Sequence, residues 1–247
     1  PRTLDEVQAV SKLGAGALSL AGPHAFLSLL SISAALDVDL DMRDGGWPDP
    51  SVLEQGVEIL QDLYHRSPLS VREMNPIGIL NHMSTHDDVA LVPLIYGYVN
   101  YASVTRDRPL KFLDAPRVQG RPGSILGGTG IAVSRRARVD QNLRDHLLWL
   151  LDEQTQCGFI PDHDGQPSLR NAWADARVDA AWSGFYSGTA ATLEAAAIRP
   201  RHDGYIALQG QGSACLRDAL AQGATARDTV RQLTALFQHS ITPEVRS

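Results

Sequence analysis

Tyr96-Gly97-Tyr98-Val99-Asn100-Tyr101 places three tyrosines and an asparagine at the end of the apolar run Val89–Ile95. A tyrosine offers a flat apolar face and one hydroxyl that needs a partner when buried. Carbohydrates present apolar ring faces and hydroxyls in one molecule, so Tyr96 and Tyr98 are candidate stacking residues. The Asn100 amide both donates and accepts and suits a sugar hydroxyl. The alternatives stay open: tyrosines lining an interdomain surface, and an asparagine capping a turn. Further on, Leu126-Gly127-Gly128-Thr129-Gly130 interrupts a second apolar stretch. Glycines inside a strand let backbone approach closely, which makes Gly128 and Thr129 candidates for a ligand contact or for a plain hinge bulge. A phosphate loop is excluded, because no Lys-Ser/Thr follows the glycines. His24 stands directly after Gly22-Pro23 at a strand-to-helix turn, the place where α/β sheets bind ligands. It is read either as a ligand contact or as a surface histidine at a helix start.

Catalytic clusters are harder to assemble. His86-Asp87-Asp88 sits at a polar helix–strand junction, and His163 lies in the turn Pro161-Asp162-His163-Asp164-Gly165. Neither has H-E-x-x-H spacing, no cysteine pair has zinc spacing, and no G-x-S-x-G elbow is present. No catalytic residue, metal ligand or cofactor is assigned. Paired glycosidase carboxylates come from distant strands, so a carbohydrate-active enzyme remains the alternative.

These residues need elements to hold them. Thr3 with Glu6 forms a capping box that opens a helix to about Lys12. A short strand is expected at 17–21. Pro23 then starts a buried helix to Leu36, followed over 37–50 by a loop or an exposed hairpin, from which Trp47 could reach a ligand. Ser51 with Glu54 reads as a second capping box, before apolar positions at helical spacing (Val52, Leu53, Val57, Leu60, Leu63 and Tyr64). Asn75-Pro76 reads as an N-cap with proline at the first helical position, opening a helix to about His86. Strands are expected at 89–95, 110–114 and 124–134, and a helix over 140–156. From Ser168 the pattern is helical, with breaks near Gly188, Pro200 and Gly223. Trp149, Trp173 and Trp182 read as structural. Strands alternating with helices argue for an α/β fold. The 247 residues are 43% hydrophobic and 20% charged, an ordinary globular composition. A net charge of −6 with scattered basic residues excludes the footprint of a nucleic-acid binder. Cys157 and Cys215 read as small helical residues and define no disulfide framework, although a single bridge stays open.

The tyrosine cluster and the Gly-rich turn occur in order with Pro1-Arg2-Thr3-Leu4-Asp5-Glu6-Val7, Gly22-Pro23-His24-Ala25-Phe26 and the tail Arg199-Pro200-Arg201 to Tyr205. Together they resemble extracellular solute-binding protein family 1, the carbohydrate branch of ABC-importer substrate-binding proteins that includes maltose-binding protein. The resemblance implies an α/β fold of the periplasmic-binding-protein-like type II. It covers mostly the C-terminal lobe plus a partial N-terminal lobe, with a helix-rich C-terminal part. It divides the chain into 1–108, a crossing segment 109–156 and a helical 157–247. It implies a ligand-binding set of His24, Tyr96, Tyr98, Asn100, Gly128, Thr129 and Tyr205, the last matched to an aromatic at a helix start. The implied role is capture of a small-molecule carbohydrate between lobes and delivery to the membrane permease of an ABC importer outside the cytoplasm, without catalysis. An isolated lobe acting as an interaction module is a third reading. Family members carry about 100 further residues ahead of the Thr3–Glu6 landmark, roughly one ordinary domain. The chain opens at Pro1 with no initiator Met and no signal peptide, so an upstream part is expected to have been removed or left out. The stretch 124–134 is then expected to expose an unpaired edge and apolar surface, with a tendency to self-associate.

Overall fold

The computed structural model describes residues 1–37, 39–118 and 120–241. Val38, in the expected 37–50 loop, and Gln119, in the stretch before the Gly-rich turn, lie outside the described residues. Two compact units emerge, and the chain passes between them four times. Of the described residues, unit 1 holds those within 1–96, 114–126 and 191–241; unit 2 holds 97–113 and 127–190.

Unit 1 is built on α1 (Leu4–Ser11), α2 (His24–Leu36), α3 (Pro50–Arg66), α4 (Pro76–Met83), α10 (Tyr205–Gln222) and α11 (Ala226–Ile241). The capping box at Thr3 and Glu6 starts α1, as the sequence predicts. Helix α2 is apolar on every side, and all its residues except His24 are buried. A helix of that kind must be surrounded; α3 and α10 pack on it, and α11 packs on both of those. Close approach is built in. A Cβ on Gly212 would lie 2.9 Å from the Phe26 ring, and one on Gly123 would lie 2.4 Å from the Ser31 carbonyl oxygen. The first turn of α2 has no side-chain cap of its own. Instead the Ser213 hydroxyl of α10 accepts from the Phe26 N–H at 3.0 Å, satisfying one of the orphan donors of a helix start. At the other end Arg121 donates to the carbonyls of Ala34, Asp37 and Leu40, where a cation also suits the helix dipole. Trp47 does not reach outward from its loop. It stacks on Phe237 at 4.4 Å and on Phe26 at 6.0 Å as part of the core.

Among the described residues the expected strands reduce to isolated bridges, Gly16 with Leu91, Ile125 with Ala197 and Thr3 with Arg117 being parallel. The run 89–95 fails to pair further because Pro93 has no N–H and Leu94 turns the chain at φ 58°. Helix α3 is capped by Asp49 with Pro50 at its first position, and not by Ser51; Asp49 accepts from the Ser51 N–H at 2.8 Å. Asn75 caps α4 as expected, but α4 stops at Met83.

Unit 2 contains α5 (Gln141–Leu151), a π-helical turn Thr155–Phe159, the single turn α6 (Ile160–Asp162), α7 (Arg170–Ala174), α8 (Ala176–Ala181) and most of α9 (Phe185–Ala195). Its core is aromatic. Phe112 meets Phe185 at 5.0 Å, and Trp173 meets Tyr186 at 5.0 Å. Buried Gln156 ties the π-helical turn to the next segment: its Oε1 accepts from the N–H groups of Ser168 and Leu169, and its Nε2 donates to the Leu150 carbonyl. The break expected at Gly188 falls instead at Ser183 and Gly184, which both have positive φ, and α9 runs straight through Gly188. Residues 126–142 are exposed throughout, and no residue of α5 is buried. Trp149 is therefore a half-exposed surface residue, while Trp182 is core. The two cysteines are free and only half-buried.

Candidate functional site

Unit 1 brings three of the seven expected site residues together. The extended segment after α1 delivers the chain to Gly22, whose φ of 60° allows the turn into Pro23 and His24. Arg217 of α10 fixes that turn by donating to the carbonyls of Gly22 at 2.6 Å and Leu20 at 3.3 Å. His24, the first residue of α2, then meets the Tyr96 ring edge-on at 5.8 Å. Burial pushes the His24 imidazole below its ordinary value, so it is neutral at pH 7. The Tyr96 hydroxyl donates to the Ile125 carbonyl at 3.3 Å, which aims the ring from the end of its segment.

Tyr205 opens α10 and is 6% exposed, with no partner for its hydroxyl. Burial raises its pKa strongly; Arg199 opposes the rise and the nearby Tyr96 adds to it. The Arg199 guanidinium lies 6.0 Å from the Tyr205 ring centre and donates to Gln209 Oε1 at 3.2 Å. The loop that carries Arg199 is held against α11. His202 bonds Ser240 Oγ at 2.9 Å, and a Cβ on Gly204 would lie 2.1 Å from the Ser240 carbonyl oxygen. The result is a pair of half-buried rings, His24 and Tyr96, backed by the buried Tyr205 at the starts of two long helices.

Unit 2 holds the other four. Tyr98 is 37% exposed, and Asn100 is exposed in the 3-10 turn Val99–Ala102. Gly128 and Thr129 lie in the exposed 126–142 stretch, with open space around the Gly128 Cα. Sequence reasoning missed Arg199 and Arg217 as site-forming residues. Arg199 stood in a recognised landmark, but only the fold reveals Arg217, which reaches across nearly two hundred positions to Gly22.

The rejected catalytic clusters look different in three dimensions. His82 Nε2 meets Asp88 Oδ1 at 2.6 Å, and the His82 and His86 rings stack at 4.2 Å. Among the described residues no group of three or more His, Cys, Asp or Glu side chains could hold a metal ion. A polar hollow lined by Asp5, Gln8, Lys12, Asp62 and Arg66 is largely satisfied internally, since Gln8 and Arg66 both donate to Asp62.

No family model matches the chain, and no curated protein matches it in sequence. Solved structures do match in fold. Maltose-bound MalE3 of T. maritima has a TM-score of 0.77 at 15% identity, over 97% of this chain and 65% of that one. An ABC transporter solute-binding protein of Agrobacterium radiobacter K84 in complex with ribitol has a TM-score of 0.74 at 16% identity, over 97% of this chain and 64% of that one. A solute-binding protein of Agrobacterium vitis S4 with bound D-mannitol has a TM-score of 0.71 at 16% identity, over 96% of this chain and 65% of that one. The fold is therefore the periplasmic-binding-protein-like α/β fold that the sequence resemblance implies. The chain spans slightly under two thirds of the length of these structures.

Proposed function

We propose that this chain belongs to the carbohydrate branch of solute-binding proteins and binds a small sugar or polyol for an ABC-type importer, without transforming it. The observation that carries this reading is the aromatic group His24, Tyr96 and Tyr205, set at two helix starts in a fold whose solved relatives hold maltose, ribitol and mannitol. Tyrosine faces stack on sugar rings, and neutral His24 can both donate and accept. On unit 2, Tyr98, Asn100, Gly128 and Thr129 are the candidate contacts. The role implies an extracytoplasmic location and a membrane permease as partner. No helix among the described residues is long and apolar enough to cross a membrane.

The reading is tested by calorimetric titration with maltose, ribitol and D-mannitol, followed by chromatography of the recovered sugar. Saturable binding of at least one, with the sugar unchanged, supports it. Failure to bind all three counts against sugar capture, and a new product would favour the enzyme alternative.

A further inference from the structure

A half-buried arginine normally finds an anion or a set of carbonyl oxygens. Several arginines of this chain do so. Arg66, Arg177 and Arg231 pair with Asp62, Asp162 and Asp228, while Arg121 and Arg217 donate to backbone carbonyls. Arg199 differs. Its guanidinium donates to the oxygen of the neutral Gln209 amide. Beside it the Tyr205 hydroxyl is buried and unpartnered. An orphaned buried donor is costly, and an acceptor from outside the chain would satisfy it. A further feature favours negative charge. Tyr205 begins the long helix α10, which has no side-chain cap at its start. Helix starts carry partial positive charge and unsatisfied N–H groups.

We infer that the ligand of this site carries a carboxylate: a uronic or aldonic acid, with Arg199 receiving the acid group and Tyr96 the sugar face. The inference rests on the proposal that the site takes a carbohydrate and narrows its class. A planar guanidinium fork matches a carboxylate, and charge-assisted hydrogen bonds are roughly twice as strong as neutral ones.

Matched pairs test it by calorimetry at pH 7: D-glucose against D-glucuronate, and D-mannitol against D-mannonate, with sodium acetate as a third probe. At least one acid is expected to bind about tenfold or more tightly than its neutral partner. Its affinity should fall with added salt while that of the neutral partner stays level. Arg199→Gln should erase the preference, and Arg199→Lys should restore part of it, with melting curves showing that both variants fold. Equal or tighter binding of the neutral members by the unaltered chain overturns the acid assignment while leaving sugar capture standing. So does a preference that survives Arg199→Gln. Acetate binding as tightly as the sugar acids would make this an anion site only. Failure of all four carbohydrates would overturn sugar capture itself.

Discussion

Ser213→Ala removes one hydroxyl from the seam between α2 and α10, and its cost follows from what is left behind. Phe26 is fully buried, and its N–H loses its partner, the Ser213 Oγ at 3.0 Å. Water cannot replace it without opening a seam so close that a Cβ on Gly212 would lie 2.9 Å from the Phe26 ring. Stranding a buried donor costs about 1–3 kcal/mol, which for a chain of this size lowers the melting temperature by about 2–4 °C per kcal/mol. Ser31→Ala is the matched control. That hydroxyl is also buried, but it bonds the Leu27 carbonyl one turn back in its own helix at 2.8 Å, a bond whose loss strands no N–H. Urea denaturation followed by circular dichroism should move the Ser213→Ala midpoint well below that of Ser31→Ala, with little change in slope. Because α2 begins at His24, sugar affinity should weaken in the same variant. A Ser213→Ala midpoint within about 0.5 kcal/mol of the unaltered chain would refute the idea that α10 caps α2.

Two further outcomes are expected. Arg66 beside Asp62, helped by Gln8 and opposed by partial burial, holds the Asp62 carboxyl below its ordinary value of 3.8. A depressed folded-state pKa contributes stability above the unfolded value and loses it as pH falls through the folded one. Asp62→Asn should therefore cost up to about 1 kcal/mol at neutral pH, the range of an open ion pair, and the difference should vanish in acid; a deficit that persists at low pH, seen in urea midpoints, would contradict the ion-pair account. Unit 2 leaves Ile131, Leu148 and Leu151 each more than 60% exposed, so sedimentation at micromolar concentration should show self-association. Ile131→Glu with Leu148→Glu should reduce it, and a monomer in the unaltered chain would count against that surface being adhesive.

Local chemistry was legible in the sequence wherever it acts over a few residues. The Thr3–Glu6 box, the Asn75-Pro76 start and the apolar α2 follow from spacing alone. The α3 cap was displaced because Asp49-Pro50 supplies both an N-cap oxygen and a proline at the first helical position, ahead of Ser51. The strands were overread. An apolar run signals burial, but pairing needs a neighbouring backbone, and Pro93 with Leu94 interrupts it. Trp47 illustrates the same limit from the other side, since its place against Phe237 is set by a partner far along the chain. Of the site, the tyrosines and His24 were visible as residue types at element ends. The anchors Ser213 and Arg217 were not, because each acts across nearly two hundred positions.

The central claim is that a carbohydrate docks on the ring surface of unit 1. The most direct measurement is the change in sugar affinity when Tyr96 is truncated, read by calorimetry on unaltered and Tyr96→Ala chains with whichever of maltose, ribitol or D-mannitol binds best. Losing a buried aromatic anchor should weaken binding by about 1–3 kcal/mol, roughly five- to 150-fold, with the melting curve still cooperative. An unchanged affinity in the Tyr96→Ala chain would contradict the account.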